Sequence, residues 1–103
     1  MKVEFDDPNL DRLEAEKAFN AGFPPPVVKG FRKILGCVRA AANRNDLQSM
    51  RGLEFKRISG SPNLYSMTIS GQHTLVVELR AVNAVEKIGV SRIECDEEEN
   101  DSE

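Results

Sequence analysis

The chain has no tryptophan, one tyrosine and one histidine among its 103 residues. Five phenylalanines are the other aromatics, so a core must be assembled mainly from Leu, Ile and Val. No apolar run approaches the roughly 20 residues that a membrane-crossing helix needs. No signal-peptide pattern opens the chain either. Met1-Lys2-Val3-Glu4-Phe5 runs straight into acidic residues, and a cytoplasmic protein is the expectation. The two cysteines, Cys37 and Cys95, lie far apart, and in a reducing compartment they are expected as thiols. There is no C-x-x-C or H-E-x-x-H spacing, which argues against a metal site, and nothing points to a small-molecule cofactor. The length allows one domain with one core, and not two.

Charge is present but segregated. Residues 94–103 hold seven carboxylates and no Lys or Arg. Removing those seven from the 17 acids leaves ten against 14 basic residues, so the body carries +4 although the chain carries −3. Eight basic residues lie between Lys29 and Arg57, opposed there by Asp46 and Glu54 alone. Such asymmetry suits either a polyanion partner or a solvated helix face. From Glu94 onward too little apolar surface remains to offset ordering entropy. A single domain over residues 1–93 and a disordered acidic tail over 94–103 are therefore expected.

In chain order, Lys2–Phe5 reads as a first strand. Asp7-Pro8 then starts a helix: the aspartate can cap open amides, and proline suits the first helical position. Leu10 and Leu13 give that helix a weak apolar stripe, with Glu14 and Glu16 off it and solvated. Gly22-Phe23-Pro24-Pro25-Pro26 forms a rigid connector. From about Pro25 to Ala42 the residues Val27, Val28, Phe31, Ile34, Leu35, Val38, Ala41 and Ala42 recur at helical spacing. Cys37 reads as a packing thiol. Asn43 and Asn45 break this helix, and Asp46–Met50 adds a short one with Leu47 and Met50 inward.

From Leu53 to Leu79 three apolar runs (Leu53–Ile58, Leu64–Ile69, His73–Leu79) alternate with Ser/Gly/Pro/Asn punctuation, the pattern of an antiparallel meander. A loop of Ser70-Gly71-Gln72 pairs Met67 with Leu75 and Tyr65 with Val77. It puts Tyr65, Met67, Ile69, Leu75, Val77 and Leu79 on one face, and Ser66, Thr68, Thr74 and Glu78 on the other. Slipping by one residue would turn the apolar set to water. His73 falls on the apolar face, where a structural role is expected. The strand continues to Val82, Asn83–Glu86 turns, and Ile88–Ile93 closes the sheet. The order predicts an α+β fold with the helices on one face of a mostly antiparallel sheet.

Three stretches, MKVEFDDPNLDRL, VVKGFRKILGCVRAAANRNDLQSMRGLEF and LYSMTISGQHTLVVEL, resemble the HigB-type toxins of the RelE/ParE superfamily, from bacterial toxin–antitoxin modules. The resemblance spans almost the whole chain. It implies a RelE-like fold and a ribosome-dependent mRNA interferase that inhibits translation. RNA would lie on the open sheet face and be cut by its own 2′-hydroxyl, with protein groups moving protons and cations stabilising the phosphorane-like transition state. The implied partners are a helix-turn-helix antitoxin and the ribosome with its mRNA. Lys29, Arg32, Lys33 and Arg39 would contact RNA phosphates without reading sequence.

The pattern is broken where the chemistry would sit. Thr68 and Thr74 stand where the family usually has arginines, and Ser59 where it often has a lysine. Cys95-Asp96-Glu97 stand where it often ends in aspartate, tyrosine and histidine. Arg57, beside Lys56, remains as the best cationic candidate. Losing one charged transition-state contact commonly costs about a hundredfold in rate. The sequence therefore implies either an endoribonuclease with weakened or altered catalysis, or a catalytically inactive module that keeps only its binding to an antitoxin or another protein.

Overall fold

The computed structural model describes residues 1–95. Its elements run β1 (Lys2–Phe5), α1 (Pro8–Ala15), α2 (Pro25–Ala40), α3 (Arg44–Ser49), one 3-10 turn (Arg51–Leu53), β2 (Lys56–Arg57), β3 (Leu64–Ser70), β4 (His73–Val82) and β5 (Val85–Cys95). The five strands form one sheet in the order β1-β5-β4-β3-β2. Only the β1–β5 pair is parallel, so the sheet is mostly antiparallel, as the α+β expectation requires.

The helices start and stop for local reasons. The Asp7 carboxylate accepts from the Asn9 amide at 2.9 Å, and Pro8 follows it at the first helical position. The Asn43 side chain accepts from the amides of Asn45 and Asp46, which opens α3. Pro24 precedes α2 in an extended conformation, and Pro25 occupies its first turn. The side chains of Phe31, Leu35 and Val38 on α2, Leu13 on α1 and Leu47 on α3 are fully buried. They pack with Met67, Leu75, Val77, Ile88 and Val90 from the facing side of the sheet. Truncating Phe31 to alanine in such a site costs about 3–5 kcal/mol, a large share of a small domain's stability. At Gly30 the helix lies so close to β3 that an added Cβ would sit 2.8 Å from the Ile69 carbonyl oxygen.

Tyr65 opposes Val77, Met67 opposes Leu75, and Thr68 opposes Thr74, the register expected from the apolar alternation. The connection is tighter than a plain three-residue loop: Ser70 pairs with His73, and a bulge falls between Thr68 and Ser70.

Four expectations need correction. The run from Leu53 to Ile58 is not one strand, since Leu53 closes the 3-10 turn, Glu54 is left-handed (φ 51°), and β2 keeps two residues. Phe55 instead stacks flat on Tyr65, ring centroids 4.5 Å apart. The last strand begins at Val85 rather than Ile88, after a two-residue Asn83-Ala84 turn with both residues at positive φ. Glu94 and Cys95 belong to β5 and not to a tail; the rest of the expected tail lies outside the described residues. Glu14 is not solvated but holds Arg39 in a two-point ion pair at 2.7 and 2.8 Å.

Candidate functional site on the open sheet face

The helices cover one side of the sheet, which leaves the other side open. Alternation along each strand and the register across strands divide that open face into rows. One row is Thr68–Thr74–Glu94, joined at its β3 end by Glu54, whose carboxylate accepts from the Thr68 hydroxyl at 3.1 Å. The next is Lys56–Ser66–Val76–Arg92. A third is Leu64–Glu78–Gly89–Glu4, and a fourth is Arg80–Lys87–Lys2. Charge thus alternates by row: carboxylates, cations, carboxylates, cations.

These charges are largely matched within the face. The Arg80 guanidinium is the hub. Its Nε donates to Glu78 at 2.7 Å, one terminal nitrogen donates to Glu4 at 2.9 Å, and the other donates to both Asp6 oxygens at 3.0 and 3.1 Å. Lys87 pairs with the second Glu4 oxygen at 2.7 Å. Gly89 makes this arrangement possible, because a Cβ there would overlap the Arg80 guanidinium. The three carboxylates raise the Arg80 pKa well above the usual arginine value. Hydrogen bonds from Lys87 and Arg80 lower that of Glu4. Arg92 pairs with Glu94 at 2.6 Å. Lys56 is exposed and makes no ion pair among the described residues.

The predicted site residues divide accordingly. Thr68 and Thr74 are directly opposed on the open face, as expected, and Ser59 is exposed in the β2–β3 connection. Of the two basic residues on β2, Lys56 opposes Ser66 and faces the open side. Arg57 opposes the buried Tyr65 and faces the helical side. His73 lies on the helical side with its ring edge-on to Phe23, centroids 6.3 Å apart. Glu97 lies outside the described residues. Sequence reasoning missed Arg80, because its partners Glu4 and Asp6 are 76 and 74 residues away.

The basic residues of α2 have mixed roles. Arg32 closes the C-terminal end of α1, donating to the carbonyls of Leu13 and Glu16 at 2.8 Å and of Lys17 and Phe19 at 3.2 Å. Arg39 is held by Glu14, which raises its pKa. Lys29 and Lys33 are exposed. Lys33 edges a depression of about 280 Å³ at the rim of β3, with Cys37, Met50 and Ile69. Cys37 is a free, half-buried thiol there. A second cleft of about 310 Å³ lies between the α1–α2 connection and α2. No cluster of three or more metal-ligating side chains occurs among the described residues, and no helix there is long and apolar enough to cross a membrane.

Cleaving RNA through its 2′-hydroxyl would need a proton acceptor, a proton donor and positive charge at the non-bridging oxygens. The open face supplies carboxylates and hydroxyls in abundance. In the Thr68–Thr74 row it supplies no cation.

Comparison with known proteins adds the fold. No protein-family model matches the chain. No curated protein sequence matches it either. Among solved structures, the chain is similar to a YoeB/ParE toxin from Agrobacterium tumefaciens, with 16% sequence identity and a TM-score of 0.56. The match covers 94% of this chain and 100% of that one. At that identity the likeness is one of fold: three helices against a five-stranded, mostly antiparallel sheet. It does not single out the HigB-type branch.

Proposed function

We propose that this chain is the toxin-fold partner of a helix-turn-helix antitoxin and acts by binding, with the open sheet face no longer equipped to cut RNA. The fold shared with the YoeB/ParE toxin supports an antitoxin partner. The observation that carries the loss of chemistry is the Thr68–Thr74 row. Two hydroxyls lie side by side where two guanidiniums are implied, and Glu54 and Glu94 flank them. A polyphosphate backbone laid across that row meets carboxylates, which repel it. The face as a whole is charge-balanced, a surface suited to a protein partner of mixed charge rather than to a polyanion.

The test pairs the chain with the small helix-turn-helix protein expected from the neighbouring reading frame. Expressed alone, the chain should leave growth unchanged. Co-expressed, the two should purify as one complex of fixed stoichiometry. Growth arrest from the chain alone, or separate elution of the two proteins, would overturn the reading.

A second reading, a residual HigB-type mRNA interferase acting in the ribosomal A site, is favoured by one observation. Lys56 stands on the open face beside the hydroxyl row with no carboxylate partner among the described residues. In that reading Lys56→Ala abolishes cleavage, whereas Arg57→Ala leaves it nearly unchanged, because Arg57 faces the other side.

A further inference from the structure

The cleft between the α1–α2 connection and α2 is lined by three cations, Lys17, Lys29 and Arg32, and by no carboxylate. Arg32 donates there through Nε and one terminal nitrogen, and its partners are four neutral carbonyls, so its positive charge is not cancelled. Lys17 and Lys29 are exposed and make no ion pair among the described residues. Phe19, Phe23 and Val28 give the cleft an apolar floor. Such a pocket fits an extended acidic segment, carboxylates toward the lysines and stems on the rings.

One such segment belongs to the chain itself. Residues 96–103 carry six carboxylates and no Lys or Arg. They follow Cys95 in sequence, and Cys95 opposes His73 on β4. The His73 ring touches Phe23, and Phe23 lines the cleft. Eight residues can span at most about 28 Å. On the other side of the sheet the last row is Glu54, Thr68, Thr74 and Glu94, which repels acidic chain. Charge therefore directs the segment toward the helical side.

We infer that residues 96–103 dock in the Lys17–Lys29–Arg32 cleft of the same molecule, an intramolecular acidic strap that occupies this cationic surface until a competing polyanion or high salt displaces it. The inference goes beyond the proposed antitoxin pairing and uses none of the open-face residues.

Amide NMR spectra of the full chain test it against a full-length variant with a neutral tail: Asp96→Asn, Glu97→Gln, Glu98→Gln, Glu99→Gln, Asp101→Asn, Glu103→Gln. At low salt the two should differ most at residues 17–23 and 29–32. Salt at about 0.5 M, which shortens the screening length to a few ångströms, should move the native chain to the neutral-tail positions. Lys17→Gln with Lys29→Gln, which keeps the tail and the α1 cap, should do the same. The differences should not depend on protein concentration. Changes confined to Glu94, Cys95 and their strand neighbours, changes around Lys56 and Ser66, or differences that grow with concentration would each overturn the proposal.

Discussion

Arg80 is the residue on which the open face is organised, and its role can be measured. It is anchored by three carboxylates from two strands and the segment after β1, with its side chain 26% exposed. Partly exposed pairs are individually weak, but a shared guanidinium with four charged hydrogen bonds makes Arg80→Ala worth about 1–2 kcal/mol. Gly89→Ala acts on the same contact by pushing the guanidinium off its seat. In urea titrations the double variant should lose less than the sum of the singles, by at least about 0.5 kcal/mol. Additive losses would mean that the two sites are independent. Acid should act through the same cluster. The Glu4 pKa is lowered when folded, so its stabilisation is present above the ordinary glutamate range, near about 4.3, and fades as pH falls through the lowered value. Glu4→Gln should therefore flatten the acid limb of the stability profile and leave its neutral limb shaped as before. None of this was legible in the sequence. The Thr68–Thr74 pairing was, because alternation with period two and a one-residue penalty for slippage are local signals. An ion pair between Arg80 and Glu4 has no local signal at all. Arg39 with Glu14, 25 residues apart, escaped for the same reason.

At the scale of elements, the errors fall where apolar residues stop reporting on pairing. Ala81, Val82 and Val85 are exposed, so the alternation that marks β5 begins only at Ile88, although the ladder continues to Val82 opposite Val85. The turn between them holds Asn83 at φ 53° and Ala84 at φ 66°. Both central residues at positive φ make a hairpin turn of the primed kind, for which asparagine followed by glycine is the preferred pair. Ala84 carries the left-handed penalty that glycine would not. Ala84→Gly should raise stability by about 0.5 kcal/mol after the extra chain entropy of glycine is allowed for. Thermal melts would detect this, and a lowered midpoint would contradict the turn assignment. The Leu53–Ile58 stretch misled differently. Leu53 and Phe55 alternate with polar residues as in a strand, but Leu53 reaches the core from a 3-10 turn and Phe55 reaches Tyr65 by stacking. In the two residues that β2 keeps, Lys56 faces the open side and Arg57 the helical side.

For the whole molecule, sequence and structure agree on architecture: helices seal one side of a mostly antiparallel sheet and leave the other side open. The fold is shared with a toxin of known structure, and the open side carries carboxylates and cations in alternating rows. Arg80, Lys87 and Arg92 are committed to carboxylates, and the row that opposes two threonines is flanked by acids. The measurement that tests this most directly is the mapping of mRNA 5′ ends in bacteria expressing the chain without any antitoxin, beside an empty-vector control. No new ends within translated regions are expected. Fresh ends at codon boundaries, lost on Lys56→Ala, would contradict a sheet face that binds without cutting.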